Sequence, residues 1–203
     1  MAFKNKNLEK GVTLVEILVA IAIITLFSMI LIADYPKMKR QFSLSRAVYK
    51  FAQDLRKTQD LGLSGVQIKD DAGDVVVAKG YGVYFTLMSP PTTEYKIYAD
   101  RGDTPDQRYE NNTQLCSNII DSQLDCVVET INIGKEEPGV FIKQINHVDY
   151  EWVSINFNPP NPETTIEGLS VGNNSVEVVF AQSFNPLITR TVSINTSGLI
   201  EVR

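Results

Sequence analysis

The sequence predicts an α+β fold in which a long N-terminal helix packs against an antiparallel β domain. Three observations carry that reading. An uncharged aliphatic run opens the chain, and an amphipathic segment of helical period follows it. From Val75 onward the apolar residues recur with the period of two that marks strands.

The opening run contains no charged residue from Ile17 to Ala33, and only Thr25 and Ser28 interrupt it. Extended back to Val12 it reaches the roughly 20 residues that span a bilayer as a helix. Lys4, Lys6 and Lys10 precede it, and Lys37, Lys39 and Arg40 follow it. Both flanks are basic, so charge bias leaves the orientation open. Pro36 is expected to end or kink the helix near Tyr35, because proline removes an amide donor and crowds the preceding turn.

Helical periodicity then resumes. Leu44, Val48, Phe51 and Leu55, with Ala47 and Ala52 beside them, form an apolar face, while Arg46, Lys50, Asp54, Arg56 and Lys57 form a wet one. Gly62 and Gly65 mark the end of this segment. A continuous helix from Val12 to Leu63 would reach on the order of 75–80 Å at 1.5 Å per residue. That exceeds a compact domain, so half of it must be buried in something other than this chain's own core.

Strands are expected at 75–77, 81–85, 95–98, 127–133, 140–145, 152–157, 176–181, 188–194 and 199–202. Turn signals separate them, among them Gly172-Asn173-Asn174 and Thr196-Ser197-Gly198. Two stretches read as loops: 100 to about 125, polar and holding both cysteines, and the proline cluster at 159–162.

Composition narrows the function classes. The length of 203 residues suits one globular domain with added segments. A net charge of −5 gives no excess of cations to neutralise phosphates, so nucleic acid is not an expected partner. Two cysteines and one histidine exclude a Cys/His zinc site within one chain. No nucleophile elbow, phosphate-binding glycine loop or His-Glu-x-x-His motif occurs, so no enzyme is expected. His147 reads as a surface or turn residue rather than a catalytic base.

The informative stretch is Lys10-Gly11-Val12-Thr13-Leu14-Val15-Glu16, directly before the aliphatic run. A secretory signal places its cleavage site after the apolar core, whereas here a glycine precedes it. A lone carboxylate at the head of such a run costs roughly 2–4 kcal/mol if held in hydrocarbon, so Glu16 calls for a reason. The segment resembles the processing site of type IV prepilins and type II secretion pseudopilins: a basic leader, Gly, an apolar residue (commonly Phe, here Val12), then Thr-Leu-x-Glu.

The resemblance implies cleavage between Gly11 and Val12 by a membrane aspartic prepilin peptidase, then N-methylation of Val12. It implies a cytoplasmic leader, an exported C-terminal domain, insertion in the inner membrane, and later assembly with other pilin or pseudopilin subunits through an inner-membrane assembly platform. On that reading 1–11 is the leader, 12–35 the transmembrane and filament-core helix, 36–65 an amphipathic stalk, and 66–203 the β-rich domain. Glu16 would neutralise the α-amino group of a neighbouring subunit, since burying either charge alone is costly. The plainer alternative is a glutamate that snorkels at the headgroups beside the helix N-terminus.

A fainter similarity, mostly of core periodicity, extends over the rest of the chain to minor pseudopilins and minor pilins of the GspH/FimT kind. Some of these carry a basic C-terminal tail linked to DNA binding. Here the tail, Gly198-Leu199-Ile200-Glu201-Val202-Arg203, has one acid and one cation, so that activity is not transferred. In an exported domain, Cys116 and Cys126 favour a disulfide over two free thiols. Asp100, Asp103, Asp106 and Glu110 offer four carboxylates within eleven residues. They form a candidate calcium loop, although the spacing is wrong for an EF-hand, and the plainer alternative is a solvated acidic turn. The competing function is a membrane-anchored surface binding protein that never polymerises.

Overall fold

A computed structural model describes residues 11–69, 73, 75–76, 78–88, 91–101, 109, 114–119, 124–159 and 164–203. The chain divides into two units, residues 1–41 and 42–203. Helix α1, Leu14–Ser64, contributes to both.

In the first unit, the described residues are helical from Leu14 and their apolar side chains are exposed throughout. The segment is long and apolar enough to cross a membrane by length and composition. The two hydroxyls within the aliphatic run, on Thr25 and Ser28, are satisfied internally. Thr25 donates to the carbonyls of Ile21 and Ala22, and Ser28 donates to that of Ile24. Such back-bonding is what an apolar environment demands of a polar side chain. Of the end or kink expected near Tyr35, the end is not found, because α1 runs through Pro36. A proline forfeits one amide donor, but the turns on both sides keep their own bonds and cooperativity carries the helix through.

In the second unit, α1 buries Leu44, Ala47, Val48, Phe51, Ala52 and Leu55, the apolar face read from the sequence. The helix ends at Ser64, whose hydroxyl donates to the carbonyls of Asp60 and Leu61. Gly65 follows with φ 58°, the left-handed conformation that closes many helices. Gly62 lies one turn earlier for a different reason. A Cβ there would stand 2.4 Å from the Phe157 carbonyl oxygen, so only glycine lets helix and sheet approach this closely.

The strands are β1 Ile68–Lys69, β2 Val75–Val76, β3 Gly80–Thr86, β4 Glu94–Asp100, β5 Cys126–Asn132, β6 Val140–Asn146, β7 Trp152–Phe157, β8 Thr164–Glu167, β9 Ser175–Gln182, β10 Thr189–Asn195 and β11 Ile200–Val202. Among the described residues these strands pair with one another antiparallel. One sheet has the order β5-β4-β3-β7-β8, a second β11-β10-β9-β6, and β1-β2 is a separate ribbon.

Both larger sheets turn one face to α1. Val83, Phe85, Ile97 and Ile155 from one sheet join Val178, Phe180, Val192 and Ile194 from the other in a single core with the helix. Phe51 is at its centre, edge-on to Phe85 and Tyr95 and tilted against Phe180, with centroid distances of 5.8, 5.0 and 5.2 Å. Truncating such a residue to alanine costs about 3–5 kcal/mol.

Every expected strand has a counterpart. Three elements have none in the sequence reading: the ribbon strand β1, strand β8, and the short helix α2, Ile133–Glu136, capped by Asn132 accepting from the Lys135 amide. Asp100 is a second correction. It closes β4 in the pairing Gly80↔Asp100 instead of opening a loop. Much of the expected loop that follows, and 160–162 of the proline cluster, lie outside the described residues.

Candidate assembly site at the N-terminal helix

Gly11, Val12 and Thr13 precede α1 in extended or irregular backbone, and all three are exposed. Thr13 is the helix N-cap, because its carbonyl accepts the first helical bond from the Ile17 amide. Its hydroxyl accepts from the Glu16 amide at 3.3 Å. In return one Glu16 carboxylate oxygen accepts from the Thr13 amide and from the Thr13 hydroxyl, each at 2.8 Å. This reciprocal capping box satisfies amides that a helix start otherwise leaves without partners. A carboxylate at this end also complements the positive pole of the helix dipole. The spacing Thr-x-x-Glu carried the signal, whereas the sequence reading weighed only pairing between subunits and snorkelling at the headgroups.

The site is therefore an exposed Gly11 and Val12, a capped first turn and an uncharged helical run behind them. A model of the prokaryotic N-terminal methylation motif matches residues 6–32, which contain all of these. In this segment the chain is type IV pilin-like. Among curated proteins none matches the chain. Among solved structures, the type IV minor pilin FimU of Pseudomonas aeruginosa is similar at a TM-score of 0.45 and 11% identity, over 82% of this chain and 92% of that one.

The second half of α1 is held by charge as well as by its apolar face. Arg46 donates to both carboxylate oxygens of Glu137 at 2.6 and 2.8 Å, and Ser43 donates to the same group. These donors, Arg46 foremost, hold the Glu137 carboxyl below its usual range against the opposing effect of burial. Lys50 meets Glu136 at 3.2 Å, and Lys57 meets Glu129 at 3.0 Å. The face expected to be merely wet thus meets a row of acids on β5, α2 and the residue after it.

Cys116 and Cys126 are bonded to one another beside Tyr81 and Ala99. Of the candidate calcium ligands only Asp100 is among the described residues; Asp103, Asp106 and Glu110 lie outside them. Asp100 is buried and accepts from the Asn156 side-chain amide at 2.9 Å. His147 is exposed in a turn with φ 66°, its ring Nδ1 3.2 Å from the Ser175 carbonyl oxygen.

Proposed function

We propose that this pilin-like chain is a structural subunit, a minor pilin or pseudopilin, of a type IV pilus or type II secretion filament. A prepilin peptidase cuts between Gly11 and Val12, and Val12 is then N-methylated. The chain waits in the inner membrane with residues 42–203 exported, and the assembly platform moves it into a filament. The observation that carries this reading is the methylation motif at the head of a helix whose first half exposes its whole apolar surface. Contiguous apolar exposure on that scale calls for lipid or for other protein. A filament supplies both in turn, first bilayer and then neighbouring helices.

The chemistry expected of the site is recognition and pairing, not catalysis. Cleavage creates a cationic α-amino group on Val12 close to the Glu16 carboxylate of the same chain. In a filament core an unpaired charge of either sign is expensive, so pairing between subunits fixes register. The test is to express the tagged full chain beside its native assembly machinery, shear the cells and collect the filaments. The tagged chain should sediment with the sheared filaments in mature form. Its confinement to the membrane fraction, with filaments present, would favour a non-polymerised surface protein instead.

A further inference from the structure

We infer that the hairpin tip between β9 and β10, which carries Phe184, Pro186 and Leu187, lies against the phospholipid surface while the chain is held in the membrane. The inference depends on the membrane anchoring of the proposed function. Strand register fixes where the tip is. Val140 opens β6 opposite Gln182, the last residue of β9, and the Ser183 amide donates to the Gly139 carbonyl. Two residues before Gly139, Glu137 holds Ser43 and Arg46, near the first residue of unit 2. The tip is therefore at the end of unit 2 where the chain enters it. Only residues 34–41 separate that entry from the aliphatic run, about 12 Å of helix.

Two features suit this tip to lipid. The first is apolar exposure. Phe184 and Leu187 are 75% and 87% exposed, and the exposed Ile188 follows them, so one short turn presents three large apolar side chains. Phe42, the first residue of unit 2, is exposed at the same end. So is Met88, in a loop whose Thr92 and Thr93 carbonyls accept from Ile142 of β6 and Ile133 of α2.

The second feature is the backbone of the turn. A loop in water can leave its amides and carbonyls to the solvent, but one at an apolar boundary must satisfy them within the protein. Here the Leu187 amide donates to Asn185 Oδ1 at 3.2 Å, and the Ile188 amide donates to the Asn185 carbonyl at 3.1 Å. Pro186 has no amide to satisfy, and its carbonyl accepts from the Lys143 ammonium at 3.0 Å. That bond also sets a cation beside the tip, where lipid phosphates would meet it. The acids nearest in the chain, Glu136 and Glu137, are already paired with Lys50 and Arg46. An apolar tip with a cation behind it fits the headgroup layer of an anionic bilayer.

The test is to reconstitute the full chain in vesicles of phosphatidylethanolamine and phosphatidylglycerol, with and without bromine on the acyl chains, which quenches tryptophan on contact. Trp152→Phe removes the native fluorophore, the single tryptophan of the chain. In that background Leu187→Trp reports from the tip. Val171→Trp reports from the turn before β9, at the opposite end of an eight-residue strand. Both positions are exposed, so neither substitution disturbs the core. Brominated lipid should dim Leu187→Trp about twofold, as for a side chain at the boundary of headgroups and acyl chains, and leave Val171→Trp unchanged. Adding Phe184→Ser to Leu187→Trp should weaken the quenching. A chain that does not float with the vesicles would overturn the membrane anchoring itself, and this inference with it. A chain that floats with Leu187→Trp unquenched, or quenched no more than Val171→Trp, would overturn the lipid contact alone. If Phe184→Ser then also lowered filament incorporation, the tip would belong to a contact with a neighbouring subunit.

Discussion

Thr13 and Glu16 cap the first turn of α1 reciprocally: the threonine hydroxyl accepts from the Glu16 amide, and the glutamate accepts from the Thr13 amide and hydroxyl. A carboxylate expected to serve a neighbouring subunit therefore has work to do within its own chain. Capping needs an acceptor oxygen; neutralising an amine needs a charge. The two roles separate by substitution.

Glu16→Gln keeps the acceptor and loses the charge, so it should insert, keep its first turn and still incorporate poorly into filaments. Glu16→Ala loses both and should in addition show faster amide exchange at Thr13. Membrane insertion should survive in each case, since the aliphatic run is untouched. Filament incorporation of Glu16→Gln at the wild-type level would remove the charge-pairing role and leave capping alone.

Arg46 and Glu137 give a pH-dependent lock on the second half of α1. Arg46 holds the folded Glu137 carboxyl below its unfolded range, so the contribution is fully present above that range. It is lost as pH falls through the lowered folded value. Arg46→Met should therefore lower the melting temperature near neutral pH, and the gap from wild type should close on acidification. A gap that stays constant down to the lowest pH at which both fold would assign the loss to packing.

Much of this fold was legible because two periods do not mix: Leu44, Val48, Phe51 and Leu55 cannot share a face in a strand, nor Val176, Val178 and Phe180 in a helix. Strand β8 was missed because only four residues, Thr164–Glu167, follow a proline cluster and leave no room for alternation to show. Helix α2 was missed because Ile133 continues the apolar pattern of β5, and its cap on Asn132 is visible only in three dimensions. Pro36 read as an end or a kink, and the end did not follow because propensity weighs the one lost bond and not the turns around it. The Thr13–Glu16 box was spelled out in the sequence and obscured by a sharper hypothesis for the same glutamate.

Gly62 tests the packing of α1 on the sheet. Gly62→Ala gains about 0.5–1 kcal/mol of helix propensity. It also forces a methyl group against the Phe157 backbone, an overpacking cost of about 1–3 kcal/mol. The clash should win, lowering the melting temperature by several degrees; a rise would show that helix and sheet can part freely there.

Gly11→Val should block processing without affecting insertion, because it alters the residue before the scissile bond and not the apolar run. An antibody to the chain should then detect only the longer precursor, in the membrane fraction. A mature-sized product from this variant would move the cleavage site elsewhere.

The central claim is that this chain is processed as a filament subunit, and the mass of its mature N-terminus tests that most directly. The chain should be purified from cells that hold the prepilin peptidase, and its N-terminal peptide measured by mass spectrometry. The expected result is a chain beginning at Val12 and carrying one N-methyl group. A mature chain that still begins at Met1, or one that begins beyond Ala33, would contradict it.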